Sequence, residues 1–432
     1  GAIKHIGSCI ANKVSPIVGV NLSVKNEFAE GRVLILAHGH NKGRGWSQLC
    51  RIISKAHQTK TSEPVIELTD LAQLLGEDPA CSVLLGGESS VGKELLVNPR
   101  RAFEELMEWK KFLTKPGCLV IEVTNLLAEP GLVYSQEHAK AMLELAEQSS
   151  LPAVLTNAVR YLQPDDALTA DVLDSARHLE PLGLFTLQPN AQAWLKPAEE
   201  MAKIALEITE DTQRAKQLLS ATSLLADRCR LDPVSDCSWG IPKTPEQQAL
   251  GIDENPFEVL WQRAHSAISW RYPAVRAAEL AHIQHRLSKE LIAINQLGFA
   301  TYFLTVADVA QMIRDMKIRI AARGSGAGSL VNYLLGISGV DPIAEGLLFE
   351  RFLSTERSTL PDIDIDVESA RRHEIYRAIF RRYGGSRVTL LSMQSTYRGR
   401  GAVRDGGLAL GLDDEEIDDI AKNMWRFSAR NF

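Results

Sequence analysis

The sequence lacks a long apolar run and a leader-like start, and each absence excludes a class of protein. No stretch approaches the roughly 18 consecutive apolar residues of a membrane-spanning helix. The opening residues, Gly1 to His5, do not form the basic, apolar and small-residue segments of a secretory signal. We therefore expect a soluble, cytoplasmic protein without a membrane segment.

Paired cysteines are also missing. There is no C-x-x-C motif, and no cysteine stands at a metal-like spacing from a histidine. A disulfide framework and a structural zinc site are therefore not expected. We interpret the cysteines as reduced thiols in the core, namely Cys9, Cys50, Cys81, Cys118, Cys229 and Cys237.

An excess of positive charge is absent too, since the 432 residues carry a formal net charge of −6. This does not exclude nucleic-acid binding, because affinity depends on local phosphate contacts rather than on total charge. With 45% apolar and 24% charged residues, the chain is too long for one ordinary core, so we expect two or more globular domains. It starts without Met, in a pattern typical of the middle of a domain, and we expect both ends to lack residues of the intact protein.

Residues 1–205 alternate short apolar runs with amphipathic helical patterns such as His138 to Gln148. This alternation predicts an α/β fold in which crossover helices join parallel strands, as an open sheet or a barrel. The predicted strands are Val14 to Val20, Val33 to Ala37, Ser82 to Leu85, Cys118 to Val123 and Pro152 to Thr156.

The composition changes after this region. Residues 206–255 predict a helical linker that ends in a segment rich in Pro, Gly, Ser and Asp. Residues 256–393 form the second predicted domain, and residues 394–432 begin a third region. In the helices that follow residue 256, we interpret Trp261 and Trp270 as core anchors rather than as platforms for base stacking.

Three aspartates alternate with apolar residues between Pro361 and Val367. On a strand, Asp362, Asp364 and Asp366 would share one face. Like charges about 6.5 to 7 Å apart are costly unless cations lie between them. Two magnesium ions bridged by these carboxylates would offset that cost and supply the chemistry of phosphoryl transfer. The alternative is an acidic edge strand that faces solvent.

A glycine-rich turn lies upstream of the aspartates. Lys317 to Ala322 predicts a strand, Leu330 to Ile337 predicts a helix, and Arg323-Gly324-Ser325-Gly326-Ala327-Gly328-Ser329 joins them. Such a turn exposes backbone N–H groups at the positive end of a helix dipole, which favours an anion. It matches neither the Walker loop nor the dinucleotide fingerprint, and a plain tight turn is the alternative. Beside a metal-binding strand, it predicts a nucleotide site formed by Arg323, Gly324, Ser325, Gly328 and Ser329.

Basic residues follow the carboxylate strand. Residues 370–385 predict a helix with one basic side. The next segment combines small residues with Arg398, Arg400 and Arg404, which we predict to contact the backbone of duplex DNA. The alternative is a solvated basic face that pairs with the acidic run from Asp413 to Asp419.

Four segments together resemble, in order and spacing, the palm of the bacterial family C DNA polymerases, the alpha subunit of DNA polymerase III. They are Leu297 to Leu304, Arg323 to Tyr333, Leu348 to Leu353 and Pro361 to Asp366. The resemblance implies a polymerase beta-like nucleotidyltransferase palm, with Asp362 and Asp364 as catalytic ligands of two Mg²⁺ ions. It also implies Gly324, Ser325 and Ser329 near the incoming triphosphate.

The first region resembles the family's amino-terminal PHP domain, a distorted β/α barrel. The segments that carry this resemblance are Ser15 to Val20, Gly43 to Leu49 and Leu151 to Asn157. The family's opening strand with its paired histidines does not precede Gly1, and Ala158 and Arg160 stand where active PHP domains carry Asp and His. His38 and His40 lie outside the family's ligand motif and are interpreted as loop histidines. We therefore expect an incomplete PHP domain without a metal site.

The resemblance implies a DNA-directed DNA polymerase in replication or error-prone repair synthesis, with a primer–template and dNTP as substrates. The family's third catalytic aspartate follows the thumb, and nothing after Arg398 supplies one, so we expect this fragment to be inactive alone. The sliding clamp and other replisome subunits would bind through regions not in this chain. Two alternatives are a truncated, non-catalytic DNA- or replisome-binding protein and a stand-alone PHP phosphoesterase. The Glu368-Ser369-Ala370-Arg371-Arg372 continuation favours the error-prone branch.

Overall fold

The computed structural model describes residues 1–58, 63–184, 188, 190–353, 360–390 and 396–423. The chain divides into two compact units, the first formed by residues 1–239 with 394–432 and the second by residues 240–393. The division at residue 239 falls inside the predicted linker, residues 206–255. The predicted domain boundaries after residues 205, 255 and 393 stay predictions.

The first unit contains a six-stranded mixed sheet. Its strands are β1 (Gly19–Lys25), β2 (Glu30–Ala37), β3 (Val65–Glu67), β4 (Cys81–Leu85), β5 (Leu119–Thr124) and β6 (Ala153–Thr156). Their order is β3-β1-β2-β4-β5-β6. Strands β4, β5 and β6 are parallel neighbours and β1 is parallel to β3, whereas β2 runs antiparallel to both β1 and β4.

The predicted α/β class is confirmed, and the sheet is mostly parallel as predicted. The prediction is wrong for β2, which is the one reversed strand of this sheet. Strands β1 and β2 form a hairpin through a short turn in which the Asn26 side chain accepts from the Phe28 and Ala29 amides. A turn of this length joins antiparallel strands directly and leaves no room for a crossover helix. The first strand also begins at Gly19 rather than at Val14, so it lies later in the chain than predicted.

Nine helices accompany this sheet in the described part of residues 1–239. They are α1 (Ala2–Ala11), α2 (Arg44–Ala56), α3 (Leu68–Leu75), α4 (Ser90–Val97), α5 (Pro99–Phe112), α6 (Gln136–Ser149), α7 (Ala167–His178), α8 (Ala198–Thr209) and α9 (Thr212–Cys229). Leu106 and Trp109 of α5 are buried with Ile35 and Ile121 of the sheet in one apolar core. Each such burial stabilises the fold by roughly 1.5 to 3 kcal/mol.

The second unit is helical around a two-stranded ribbon. Its helices are α10 (Gln247–Leu250), α11 (Pro256–Arg271), α12 (Ala277–Gln296), α13 (Ala300–Asp315), α14 (Leu330–Leu334) and α15 (Arg372–Tyr383). Strands β7 (Ile320–Arg323) and β8 (Asp364–Val367) pair antiparallel. In the described ranges, no single helix is long and apolar enough to cross a membrane. Only α12 and α13 taken together, as a pair bent by 113°, have the required length and composition.

Both tryptophans predicted as core anchors are exposed. Trp261 and Trp270 of α11 have 46% and 59% of their surface in solvent. The Trp261 ring stacks on His265, and the Arg271 guanidinium lies 4.2 Å from the centroid of Trp270. The core face of α11 is formed by smaller aliphatic residues instead, so the prediction from aromatic content was wrong.

Two further helices, α16 (Gly399–Ala409) and α17 (Asp414–Asn423), belong to the first unit. The Leu182 amide donates to the Ala409 carbonyl, which links α16 to the segment after α7. A Cβ added to Gly407 would lie 2.6 Å from Ile417, so a glycine here lets α16 and α17 approach closely.

Candidate active site

The paired strands β7 and β8 separate an apolar face from a charged one. Ile365 and Val367 of β8 pack with Ile320 of β7 against residues of α13 and α15. The opposite face carries Asp364 and Asp366, both exposed. This is the period-two alternation that the sequence predicts.

Asp362 lies just before the ribbon rather than within it, because β8 begins at Asp364. It is exposed, while Pro361 is buried beside it. Across the ribbon, Arg323 stands opposite Asp364, and its Nε atom lies 3.4 Å from an Asp366 carboxylate oxygen. A cation of the protein therefore offsets part of the repulsion between the aspartates, although a solvent-exposed pair contributes at most about 1 kcal/mol.

The glycine turn begins directly at the end of β7. Gly324 has a φ of +75°, and a Cβ placed on it would lie 3.3 Å from an Asp364 carboxylate oxygen. Arg323, Gly324 and Ser325 are exposed, whereas Gly326, Gly328 and Ser329 are buried. The turn thus has an exposed half beside Asp364 and a buried half that leads into α14.

The N-terminus of α14 already holds an anion, the carboxylate of Glu290 from α12. The Leu330 and Val331 amides donate to it at 3.0 and 3.1 Å, and the Ser329 hydroxyl at 3.0 Å. Burial raises the pKa of Glu290, while the Arg286 hydrogen bond and these amides oppose the rise. The anion site predicted at this helix start is therefore taken by a protein carboxylate, and Ser329 would have to leave Glu290 to reach a phosphate.

An aromatic residue lies close to the aspartates. The Tyr302 hydroxyl of α13 donates to the Pro361 carbonyl at 2.8 Å. Burial raises the pKa of Tyr302, and the charges of Asp362 and Asp364 add to the rise. Tyr302 thus fixes the backbone just before Asp362.

The predicted DNA-binding arginines lie on α16 or at its start. Arg398 is the exposed residue before the first turn. Arg404 pairs with Asp418 of α17 at 2.7 Å, and Arg400 donates to the Ala421 carbonyl at 3.2 Å. For Arg404, the structure has the pairing with the acidic helix that the sequence offers as the alternative.

Comparison with known proteins identifies the second part of the chain. Residues 258–431 match the family described as Bacterial DNA polymerase III alpha NTPase domain. This part of the chain belongs to that family. Among curated relatives, an error-prone DNA polymerase of Symbiobacterium thermophilum is 31% identical over 99% of this chain and 39% of its own length. One of Pseudomonas fluorescens is 34% identical over 66% of this chain and 26% of its own length. The chain thus spans about two fifths or less of these two relatives.

The sheet of the first unit carries a separate, large cavity. It has a volume of about 1040 Å³ and lies at the ends of β4, β5 and β6, with Glu122, Tyr134 and Ala158 in its wall. Arg160, which also lines this cavity, pairs with Asp174 at 2.8 Å. Across the described ranges, no three His, Cys, Asp or Glu residues are grouped so that they could hold a metal ion.

The two histidines of the H-x-H segment lie in the connection after β2. The His38 Nε2 atom lies 2.8 Å from the Ser82 hydroxyl, and burial, with Arg228 nearby, lowers the pKa of His38 to about 4. The His40 amide donates to Asp236. The His38 ring thus contacts a side chain of β4, and the His40 backbone is held by Asp236.

Sequence reasoning missed the residues that support the site. Arg286 and Glu290 form an (i, i+4) pair, a spacing that normally indicates an exposed helix face. Only the apolar neighbours Leu287, Leu291 and Ile294 suggest that this part of α12 is buried. Tyr302 lies in a segment that carries the family resemblance, but no pattern assigns it a partner.

Proposed function

We propose that the chain is part of a DNA-directed DNA polymerase that transfers a nucleotide from dNTP to the 3′-hydroxyl of a primer on a template. The observation that carries the proposal is the position of Asp364. Its exposed carboxylate lies against the exposed half of the glycine turn, at the end of β7. A metal-binding carboxylate and a loop with accessible backbone are the two parts that phosphoryl transfer requires in one place.

The donor set suits magnesium. Asp362 and Asp364 are exposed and offer hard oxygen donors, and Mg²⁺ typically takes one or two carboxylates and completes its shell with water and substrate phosphates. A site that recruits its remaining ligands from the nucleotide agrees with the absence of a three-residue metal group in the described ranges. When bound, two such ions would lower the pKa of the primer hydroxyl and neutralise charge on the phosphates.

The protein residues would bind and orient the substrates. Arg323 would contact the triphosphate and give up its weak contact with Asp366. The amides of Gly324 and Ser325 would donate to phosphate oxygens, since both residues are exposed. Gly328 and Ser329 would hold the turn in shape from its buried side. Tyr302 would keep Asp362 in line with Asp364 by holding the Pro361 carbonyl.

Contacts to the primer–template form the other part of the proposal. Arg398 is exposed, and so are Arg377 and Arg381 on one side of α15. Such cations suit a DNA backbone. The names of the relatives favour error-prone synthesis for this chain as well. A PHP-type first unit, a polymerase beta-like palm, a cytoplasmic location, and a sliding clamp or other replisome partner bound elsewhere in the intact protein belong to the same proposal.

The test is primer extension by the protein made from its intact gene, with Mg²⁺ or Mn²⁺. Asp364→Asn should lower incorporation by about 10³-fold or more while circular dichroism and DNA affinity stay unchanged. Asp315→Asn, which alters an exposed carboxylate on α13, is the matched control and should extend normally. Chelation by EDTA should stop the wild type and excess Mg²⁺ should restore it.

Other outcomes separate the alternatives. Equal extension by wild type and Asp364→Asn would refute the assignment of this carboxylate. DNA binding without extension by the intact wild type would instead favour a non-catalytic DNA-binding protein.

A further inference from the structure

Two charged residues of α12 contact the buried half of the glycine turn and the start of α14. Glu290 has no exposed side-chain surface, and each of its two carboxylate oxygens accepts two hydrogen bonds. Arg286 donates to one of these oxygens at 2.7 Å and also to the carbonyls of Gly328 and Leu347, at 3.0 and 3.2 Å. The pair therefore contacts amides and a carbonyl at the same end of the turn.

The buried half of the turn has further fixed contacts. The Ser329 hydroxyl donates to Glu290 and accepts from the Asn332 amide at 3.2 Å. The side-chain amide of Asn332 donates to the Gly326 carbonyl at 3.0 Å. A Cβ on Gly328 would lie 2.9 Å from the Leu348 carbonyl oxygen, so the backbone there is packed tightly. Little freedom remains from Gly326 onward.

The buried half of the turn determines the position of the exposed half. Only Gly324 and Ser325 separate the fixed backbone from Arg323 at the end of β7. The amides proposed to meet the triphosphate are thus set by β7 on one side and by the α12 pair on the other. A displaced turn would move these amides away from Asp364 without altering the carboxylates on β8.

We infer that Arg286 and Glu290 are positioning residues that set the geometry of the glycine turn for nucleotide binding. This inference rests on the proposed function and goes beyond it, because neither residue touches the substrate. Burying such a pair costs desolvation energy, and replacing it with apolar residues is often neutral for stability. Glu290 accepts from three donors outside the pair, and Arg286 donates to two carbonyls, which indicates a role in fixing one loop conformation.

The experiment compares single-nucleotide incorporation by the intact protein carrying Arg286→Lys, Glu290→Gln or neither change. Lysine keeps the charge beside Glu290 but loses the forked contacts to the two carbonyls, so Arg286→Lys should fold even if Glu290→Gln does not. We expect KM for dNTP to rise about tenfold, the effect of about one charge-assisted hydrogen bond. The maximal rate and the Kd for primer–template should stay within about twofold of wild type.

Lys289→Gln is the control, since Lys289 is exposed on the same helix next to Glu290. Hydrogen exchange of the Leu330 and Val331 amides supplies a readout that does not depend on catalysis. Both should exchange faster in Arg286→Lys, with exchange in β1 to β6 unchanged.

An unchanged KM in a folded Arg286→Lys protein would overturn the inference. So would a parallel loss of stability, rate and DNA affinity, which indicates a structural role alone. If wild type incorporates no nucleotide, the proposed function fails first. Hydrogen exchange of the Leu330 and Val331 amides would then still show whether Arg286 and Glu290 fix the conformation of the turn.

Discussion

Gly324→Ala tests the close approach of the turn to Asp364. Gly324 has a φ of +75°, and the added Cβ would lie 3.3 Å from the Asp364 carboxylate. The left-handed backbone costs an alanine roughly 1 to 2 kcal/mol. The contact is tighter than ordinary packing but involves the end of a side chain. We therefore expect the Asp364 carboxylate to move by a few tenths of an ångström and the turn to stay folded.

Gly384→Ala separates the two effects. Gly384 follows α15 with a φ of +79°, and a Cβ there meets nothing within 4 Å. Gly324→Ala should lose roughly 1 to 2 kcal/mol of unfolding free energy and Gly384→Ala, with a ψ of 155°, roughly 1 to 3 kcal/mol, both measured by urea titration. Only Gly324→Ala should also lower the rate of nucleotide incorporation, by between about 10-fold and 100-fold, because a small misplacement of a catalytic group has effects of this size.

The reasoning would be refuted by either of two results. If both variants lose stability equally and both incorporate nucleotides normally, the approach of Gly324 to Asp364 has no part in the reaction. If Gly324→Ala keeps full stability, the turn adopts another backbone conformation in solution, and its proposed contacts with the triphosphate lose their basis.

Two further predictions concern the first unit. The folded pKa of His38, about 4, is below its unfolded value, so stability is complete above about pH 6.5 and falls as the pH drops toward 4. His38→Gln, which keeps a donor for Ser82, should remove about 2 kcal/mol of that loss, seen as a smaller difference between urea midpoints at pH 7.5 and 4.5. Arg398→Ala should lower the salt dependence of DNA binding by about one unit of slope. Arg404→Ala should leave it unchanged and cost up to about 1 kcal/mol, since its charge pairs with Asp418.

The carboxylate ribbon could be predicted because its pattern is local. Alternation of Asp with Ile or Val over six residues fixes which side chains share a face, whatever the strand packs against. Residues Ile365 and Val367 then follow onto the apolar side. The start of β8 at Asp364 was not predictable to the residue, since a strand begins where its partner β7 ends, at Arg323.

The sheet of the first unit shows the opposite case. The apolar runs that became β2, β4, β5 and β6 were identifiable, and β4, β5 and β6 are parallel as predicted, but the reversed direction of β2 was not predicted. Direction depends on whether the connection crosses the sheet, and the short segment between Lys25 and Glu30 carries only Asn26 as a turn residue of clear preference. Trp261 and Trp270 fail for a related reason, since an aromatic residue on a helix does not reveal which face is covered.

The glycine turn combines correct chemistry with the wrong ligand. The sequence pattern predicts that the helix start after β7 binds an anion. The start of α14 does bind one, but it is the carboxylate of Glu290, about 40 residues earlier in the chain. No local pattern distinguishes this glutamate from a surface partner of Arg286. Because the α14 amides are taken, a triphosphate bound at this turn would contact the exposed stretch from Arg323 to Ser325. The proposed phosphate contacts would therefore lie next to Asp364, where the chemistry would need them.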